Sequence, residues 1–321
     1  MNNKRIAILT SGGDAPGMNA AIRAITRKGI YHRFEIFGVE KGFQGLINGT
    51  FIPMNSDSVA GILDQGGTML KTARSEEFRT EAGQAVALEH LKEQLIDVVV
   101  VIGGDGSMQG AMRLAELGVN TIVIPGSIDN DMPGTEYSIG FDTALNTILE
   151  AANKIRDTSI SHDKVAVIEV MGRNCGNLAL MSGLAGGAET ILVPEVSNDI
   201  GQICHELLES YKLGKLYRVI MLAEGVGKGH DIAAQITERT NLSVSVTVLG
   251  YIQRGGNPTA MDNIMASRMG AAAIDGIIAK KSNFLVAMRQ GTLVLVPYGK
   301  ENEFQPGIDV GQYELSRVLG M

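Results

Sequence analysis

Short apolar runs, each closed by glycine, recur along the chain and alternate with segments whose apolar residues return every three or four positions. The first pattern reads as a buried strand ending in a tight turn, the second as a helix laid across it. Residues 4–9 predict a first strand, closed by Thr10-Ser11-Gly12-Gly13-Asp14-Ala15-Pro16-Gly17. Residues 18–33 then carry helical spacing through Ala21, Ile22, Ile25 and Ile30. Further strands are expected over 35–40, 98–102, 121–124, 164–170, 190–193, 218–223, 244–249, 284–287 and 293–296. The one at 164–170 reads as alternating. Helices are expected from 59 to a stop at Gly66-Gly67, over 81–94, after Ser107, from Gly140 to 156, and over 178–185, 200–211, 261–278 and 310–319. Regular alternation of this kind specifies an α/β fold with largely parallel sheets. No Pro/Gly/Ser linker cuts the chain; the best break lies near 134–140, with a return near Gly250.

The chemistry concentrates between residues 98 and 131. Strand 98–102 runs into Gly103-Gly104-Asp105-Gly106-Ser107, a helix follows, and strand 121–124 ends in Pro125-Gly126-Ser127-Ile128-Asp129-Asn130-Asp131. In an open parallel sheet the carboxyl ends of the strands line the ligand crevice, so Asp105, Asp129 and Asp131 are expected to converge there. Glycine lets the backbone approach a phosphate, and a helix N-terminus offers free N–H groups. A carboxylate in such a turn suits a magnesium ion that bridges phosphate oxygens.

Composition narrows the class without changing this picture. At 321 residues the chain suggests about two domains. Charged residues make up 20% and apolar ones 45%, which argues against disorder. The net charge of −7 disfavours a nucleic-acid partner, which calls for a basic face. Only Cys175 and Cys204 are present, so no disulfide framework is implied and a reducing cytoplasm is the simplest location. No run of about 18 apolar residues points to a membrane span.

Other strand ends deliver polar groups in the same way: Met171-Gly172-Arg173, Glu224-Gly225 and Gly250-Tyr251-Ile252-Gln253-Arg254. The loop around Arg74, Ser75 and Arg79 supplies forked donors suited to phosphoryl oxygens, although taken alone it reads more readily as a solvated charge cluster.

Taken in order, Ser11-Gly-Gly-Asp-Ala-Pro-Gly-Met-Asn-Ala-Ala, Gly103-Gly-Asp-Gly-Ser, Pro125-Gly-Ser-Ile-Asp-Asn-Asp, Met171-Gly-Arg, Ala223-Glu-Gly and Leu249-Gly-Tyr-Ile-Gln-Arg-Gly-Gly closely resemble the bacterial ATP-dependent 6-phosphofructokinases over essentially the whole chain. Each motif alone is weak; the ordered set is specific. The resemblance implies two Rossmann-like three-layer α/β/α domains with mostly parallel sheets and the active site in the cleft between them. A larger ATP-binding domain would take 1–138 plus 251–300, and a smaller sugar-phosphate domain 139–250 plus 301–321. It also implies a cytoplasmic homotetramer that moves the γ-phosphoryl of ATP to the 1-hydroxyl of fructose 6-phosphate. By resemblance Asp129 is the base, Asp105 holds Mg2+, and Asp131 supports the metal and acceptor region. The Gly13 N–H, Arg74 and Arg173 would face the transferred phosphoryl. Gly104, Gly106 and Ser107 would cradle ATP beside Ser75 and Arg79. Ser127, Met171, Gly172, Glu224 and Arg254 would hold the sugar phosphate. The alternatives are a silent sensor of the same fold or a kinase for a related hexose phosphate.

Departures from the family pattern gather at the substrate rim. Tyr251 stands where a histidine is usual, Ser127 where threonine is usual. Two arginines that reach the sugar phosphate from a neighbouring subunit fall on Lys164 and Ser245. The site for an effector such as ADP or phosphoenolpyruvate keeps Arg23, Arg27, Arg156, Glu189 and Lys215, but expected charges fall on Ser56, Gly61 and Leu213. Pyrophosphate-dependent relatives carry aspartate and lysine where this chain has Gly106 and Gly126, which leaves room for ATP.

Overall fold

The structure, a computed structural model, describes residues 4–320. Its elements in chain order begin β1 (Arg5–Ser11), α1 (Met18–Tyr31), β2 (Glu35–Val39), α2 (Gly42–Asn48), β3 (Phe51–Met54), α3 (Glu81–Glu93), β4 (Val98–Gly103), α4 (Asp105–Glu116) and β5 (Asn120–Pro125). They continue with α5 (Phe141–Ser161), β6 (Val165–Val170), α6 (Asn177–Gly186), β7 (Thr190–Leu192), α7 (Ile200–Lys212), β8 (Arg218–Ala223), α8 (Gly229–Thr240) and β9 (Val244–Val248). The chain finishes with α9 (Ala260–Ile278), β10 (Phe284–Arg289), β11 (Thr292–Pro297) and α10 (Val310–Leu319). Two compact units emerge. One takes the chain as far as Ile128, Met132–Thr143 and Arg254–Pro306; the other takes Asp129–Asp131, Ala144–Gln253 and the chain from Gly307 on.

The first unit is built on a sheet ordered β11-β10-β5-β4-β1-β2-β3. Its centre is parallel, and the antiparallel strands β11 and β3 form its two edges. β4 supplies Val98, Val99, Val100, Val101 and Ile102, all buried, as expected for a strand covered on both faces. Packed against the sheet, and against Leu285 of β10, are Leu46, Met108 and Leu114, with Phe43 stacked on Phe78 at 4.4 Å between ring centres. The second unit has a four-stranded, all-parallel sheet ordered β7-β8-β6-β9. Its core joins Val165, Val167, Ile220 and Leu222 to Ile203, Leu207 and Ile236 from α7 and α8.

Two local expectations give way, and three elements form that the pattern did not announce. Residues 59–63 form turns, not a helix, and the short α2 and β3 precede them. Three glycines within ten residues (Gly61, Gly66, Gly67) favour turn geometry over propagation. β3 carries Pro53, which an edge strand tolerates because one side of its backbone needs no partner. The alternation VAVIEV in β6 does not mark a one-sided strand: all six residues are buried, Glu169 included. α8 also forms, beginning at Gly229 with no cap from its own side chains. Its first amide is held instead by Glu169 Oε2, 2.6 Å from Gly229 N.

Candidate active site

In the first unit the ends of β1, β4 and β5 bring three glycine turns together. A Cβ added to Gly12 would lie 3.3 Å from Ser107 Oγ, one on Gly103 only 2.5 Å from the same atom, and one on Gly104 3.8 Å from both the Gly126 carbonyl and Ser127 Cβ. Gly126 N donates to the Gly103 carbonyl at 2.9 Å. Side chains at Gly12 and Gly103 would push these turns apart, so glycine there is a packing requirement.

Helix starts are of two kinds, and α2, α6 and α8 are among those without a side-chain cap. Thr80, Asp199, Thr259 and Asp309 cap α3, α7, α9 and α10 with their own oxygens. α1 and α4 start at Gly17 and Gly104 with no side-chain cap, although in α1 the Met18 N–H already donates to the Ala15 carbonyl at 3.2 Å. Asp105 opens α4 as an exposed carboxylate, and Ser107 is buried one residue beyond Gly106. A Cβ on Gly106 would meet nothing within 4 Å.

The arginine loop belongs to the same face. Thr72 Oγ1 donates to the Gly12 carbonyl at 2.8 Å, and Ser75 Oγ donates to Gln44 Oε1 at 2.8 Å. Arg74 is exposed between these two ties. Arg79 instead pairs with Glu76 at 3.4 Å in an exposed ion pair. Arg254 lies against Gly13: a Cβ at 13 would sit 2.7 Å from its Nη1.

Beneath this face lies a residue that motif reading passed over. Asp262 is fully buried and collects four donors: Tyr137 Oη at 2.6 Å, Gly140 N at 2.7 Å, Thr143 N at 2.8 Å and Thr143 Oγ1 at 2.5 Å. Burial lifts its carboxyl above the usual range while these donors pull it back. Burial, with the nearby Asp262 charge, also raises the Tyr137 hydroxyl. The segment so pinned braces the site from behind: Ile139 N donates to the Pro125 carbonyl at 3.0 Å, and a Cβ on Gly140 would strike Ala15 Cβ at 2.7 Å. The only sequence signal was an aspartate in a helix's first turn, which ordinarily reads as dipole compensation.

In the second unit the polar turns follow β6, β8 and β9. Gly225 N donates to the Gly172 carbonyl at 3.1 Å, and Glu224 N to the Val170 carbonyl at 2.9 Å, which places Glu224 beside Met171–Arg173. Gly172 adopts φ +127, a backbone shape that favours glycine. Arg173 is exposed and Met171 half-buried. Asn177 Nδ2 donates to the Asn130 carbonyl at 3.2 Å, fixing the Asp129–Asp131 segment against the start of α6. Burial pushes the nearby Cys175 thiol up to about 12, which leaves it protonated and unreactive at neutral pH.

The model of the family described as Phosphofructokinase matches residues 5–277. The chain belongs to the phosphofructokinase family. The ATP-dependent 6-phosphofructokinase of Alkaliphilus metalliredigens is 52% identical over 318 residues, 99% of this chain and 100% of the relative. That of Clostridium tetani is 52% identical over 316 residues, 98% of this chain and 99% of the relative. A solved phosphofructokinase from Saccharomyces cerevisiae superimposes with a TM-score of 0.86 at 36% identity, covering 94% of this chain and 45% of that one.

Within this phosphofructokinase-family chain, Lys164 and Ser245 stand apart from the other substrate candidates. They lie at the start of β6 and β9, whereas Met171 and Tyr251 follow the opposite ends. Six residues of strand separate them, roughly 20 Å. Ser245 Oγ donates to the Val165 carbonyl at 3.3 Å, so its hydroxyl already serves its own sheet. Tyr251 is 82% exposed. Of the effector candidates, Arg156 donates to the Gly186 carbonyl, and Glu189 Oε2 accepts from Val219 N at 2.8 Å. Glu189 and Lys215 also line a groove of about 860 Å³ between α7 and α10. At its wall Arg218 is buried, with Nη2 on Ser210 Oγ at 2.5 Å. Arg23 and Arg27 lie on α1 in the other unit.

Proposed function

We propose that the protein transfers the γ-phosphoryl group of ATP to the 1-hydroxyl of fructose 6-phosphate, forming fructose 1,6-bisphosphate and ADP in glycolysis. The observation that carries this reading is the set of glycine turns at the ends of β1, β4 and β5, opening onto two helix N-termini left uncapped by side chains. Gly104, Gly106 and Ser107 cradle the nucleotide phosphates, with Ser75 and Arg79 beside them. Open space at Gly106 favours ATP over pyrophosphate as donor, because a side chain there would occupy room meant for ligand.

Phosphoryl transfer needs alignment, charge neutralisation and a proton acceptor. Asp129 takes the proton from the 1-hydroxyl as its oxygen attacks phosphorus. Arg74, Arg173 and the Gly13 N–H neutralise the charge that spreads over the transferred oxygens. Ser127, Met171, Gly172, Glu224, Tyr251 and Arg254 hold the sugar phosphate, and Asp131 supports the acceptor side. Among the described residues no three His, Cys, Asp or Glu side chains gather into a metal cluster. Magnesium is held mainly by phosphate oxygens and water, and Asp105 would be the protein's contribution. The ion would supply charge neutralisation on the nucleotide.

Lys164 and Ser245 serve a neighbouring copy in a homotetramer, since they lie at the far end of their own sheet. Arg23, Arg27, Arg156, Glu189 and Lys215 form the effector site, taking ADP or phosphoenolpyruvate. Among the described residues no helix is long and apolar enough to cross a membrane, and the cytoplasm is the proposed location.

An assay coupling fructose 1,6-bisphosphate formation to NADH oxidation, with Mg-ATP and fructose 6-phosphate, tests the activity. Turnover saturable in both substrates is expected. Failure to turn over fructose 6-phosphate, or faster turnover with pyrophosphate as donor, would overturn the assignment.

A further inference from the structure

β6 and β9 pair in parallel register from Val165↔Val244 to Glu169↔Val248, and Leu249 N extends the ladder by donating to the Glu169 carbonyl at 3.0 Å. Continued one step, the same register would take Met171 N–H to the Leu249 carbonyl. The chain instead leaves the ladder at Gly250, whose φ of +54 turns it into a single 3-10 turn over Gly250–Arg254. Met171 N–H donates to the side chain of Gln253, with Oε1 at 3.0 Å. The same amide returns its Nε2 hydrogen to the Gly250 carbonyl at 2.9 Å. Gln253 is 0% exposed although its sequence neighbours Tyr251 and Ile252 are exposed. One side-chain amide thus stands in for the missing rung, accepting as a peptide carbonyl and donating as a peptide N–H.

We propose that Gln253 is a positioning residue for sugar-phosphate recognition. It sets the separation between the Met171–Arg173 turn and the Gly250–Arg254 turn without itself touching substrate. This rests on the reading that those turns hold fructose 6-phosphate. The geometry requires both halves of the amide. A carboxylate could still accept from Met171 N–H but would face the Gly250 carbonyl with no hydrogen to give. An aliphatic side chain of similar size would leave the part-buried Met171 N–H and Gly250 carbonyl both without this partner, at a cost. The relief available to the backbone is for the two turns to move apart. Recognition of a phosphate by fixed donors is sensitive to such a shift, whereas the nucleotide turns after β1, β4 and β5 share no hydrogen bond with this amide.

The test compares wild type with Gln253→Glu and Gln253→Leu. Calorimetry gives the Kd for fructose 6-phosphate and, separately, for Mg-ATP. Steady-state rates give KM and kcat, and thermal melts report folding. The expected result is at least a tenfold rise in Kd and KM for fructose 6-phosphate in Gln253→Leu and a smaller rise in Gln253→Glu. Mg-ATP affinity should stay within twofold in both. Unchanged fructose 6-phosphate binding in either folded variant would overturn the proposal. So would a parallel loss of both ligands, which marks general destabilisation. If Gln253→Leu does not fold, Gln253→Glu decides alone by the same criterion. A wild-type protein that binds no fructose 6-phosphate would instead sink the underlying assignment.

Discussion

Replacing Gly225 by alanine puts a single methyl group between the two turns that present Glu224 and Arg173. A Cβ there would lie 2.1 Å from the Arg173 carbonyl oxygen and 2.9 Å from the Gly172 carbonyl oxygen. Both neighbours are backbone, so no side chain can swing aside. Because packed interiors tolerate no such overlap, the turns must part by about 1 Å or more. The 3.1 Å bond from Gly225 N to the Gly172 carbonyl is then lost or badly stretched, at a cost of about 1 kcal/mol. In a unit of this size that amounts to a fall of roughly 2–4 °C in melting temperature. The functional effect should be larger than the structural one. A misplacement of ~1 Å commonly costs ~10²-fold in rate, about 2.7 kcal/mol of transition-state stabilisation. The expected signature is a fall of that order in kcat/KM for fructose 6-phosphate, measured at saturating Mg-ATP, with Mg-ATP affinity unchanged by calorimetry. A variant within threefold of wild type would refute the claim that these two turns act together on the sugar phosphate. Equal damage to nucleotide binding would refute the division of labour between the turns.

Three more outcomes follow from the same structure. Asp129→Asn should lower kcat by ~10²–10⁴-fold, the usual worth of a general base, while leaving Mg-ATP binding intact; a near-normal kcat would remove Asp129 from that role. Gly106→Asp should abolish ATP use with little change in melting temperature, because the new side chain meets no protein atom within 4 Å at its Cβ; retained ATP turnover would show that the nucleotide passes elsewhere. Lys164→Arg combined with Ser245→Arg should lower the KM for fructose 6-phosphate by about tenfold per restored ionic contact, and only in the assembled oligomer; an unchanged KM, or the same gain in isolated subunits, would show that the 6-phosphate is held by other groups.

The glycine turns after β4 and β5 were legible because glycine at the end of a buried apolar strand is a local signal of a tight turn. Gly103–Ser107 and Gly126–Ser127 needed no tertiary information. α2 was not legible: seven residues containing two glycines lack the length for a periodic pattern, and both its ends lie in the left-handed region. α8 was missed because its N-terminus is held by Glu169 from a different element, where a sequence reader looks for Ser, Thr or Asp just ahead of the helix. Asp262 and Gln253 share that difficulty. Their partners, Thr143 and Met171, lie 119 and 82 residues away, and nothing in either neighbourhood announces a buried polar group. Turn glycines announce themselves in short motifs; residues that hold those motifs in place do so across the fold.

The Asp262 carboxylate also dictates an order of events during synthesis. Its partners at Gly140 and Thr143 leave the ribosome well before it does, Thr143 lying 119 positions ahead of Asp262. At a translation speed of about 5–20 residues per second, they wait roughly 6–24 s for their acceptor. β10, which pairs with β5, emerges later still. The nascent first unit therefore remains open along one sheet edge while most of the second unit is being made, and the stretch from Ala144 to Gln253 has the first opportunity to become compact. The first unit is thus the one translated first but closed only when β10 and β11 arrive, and α10 then completes the second unit.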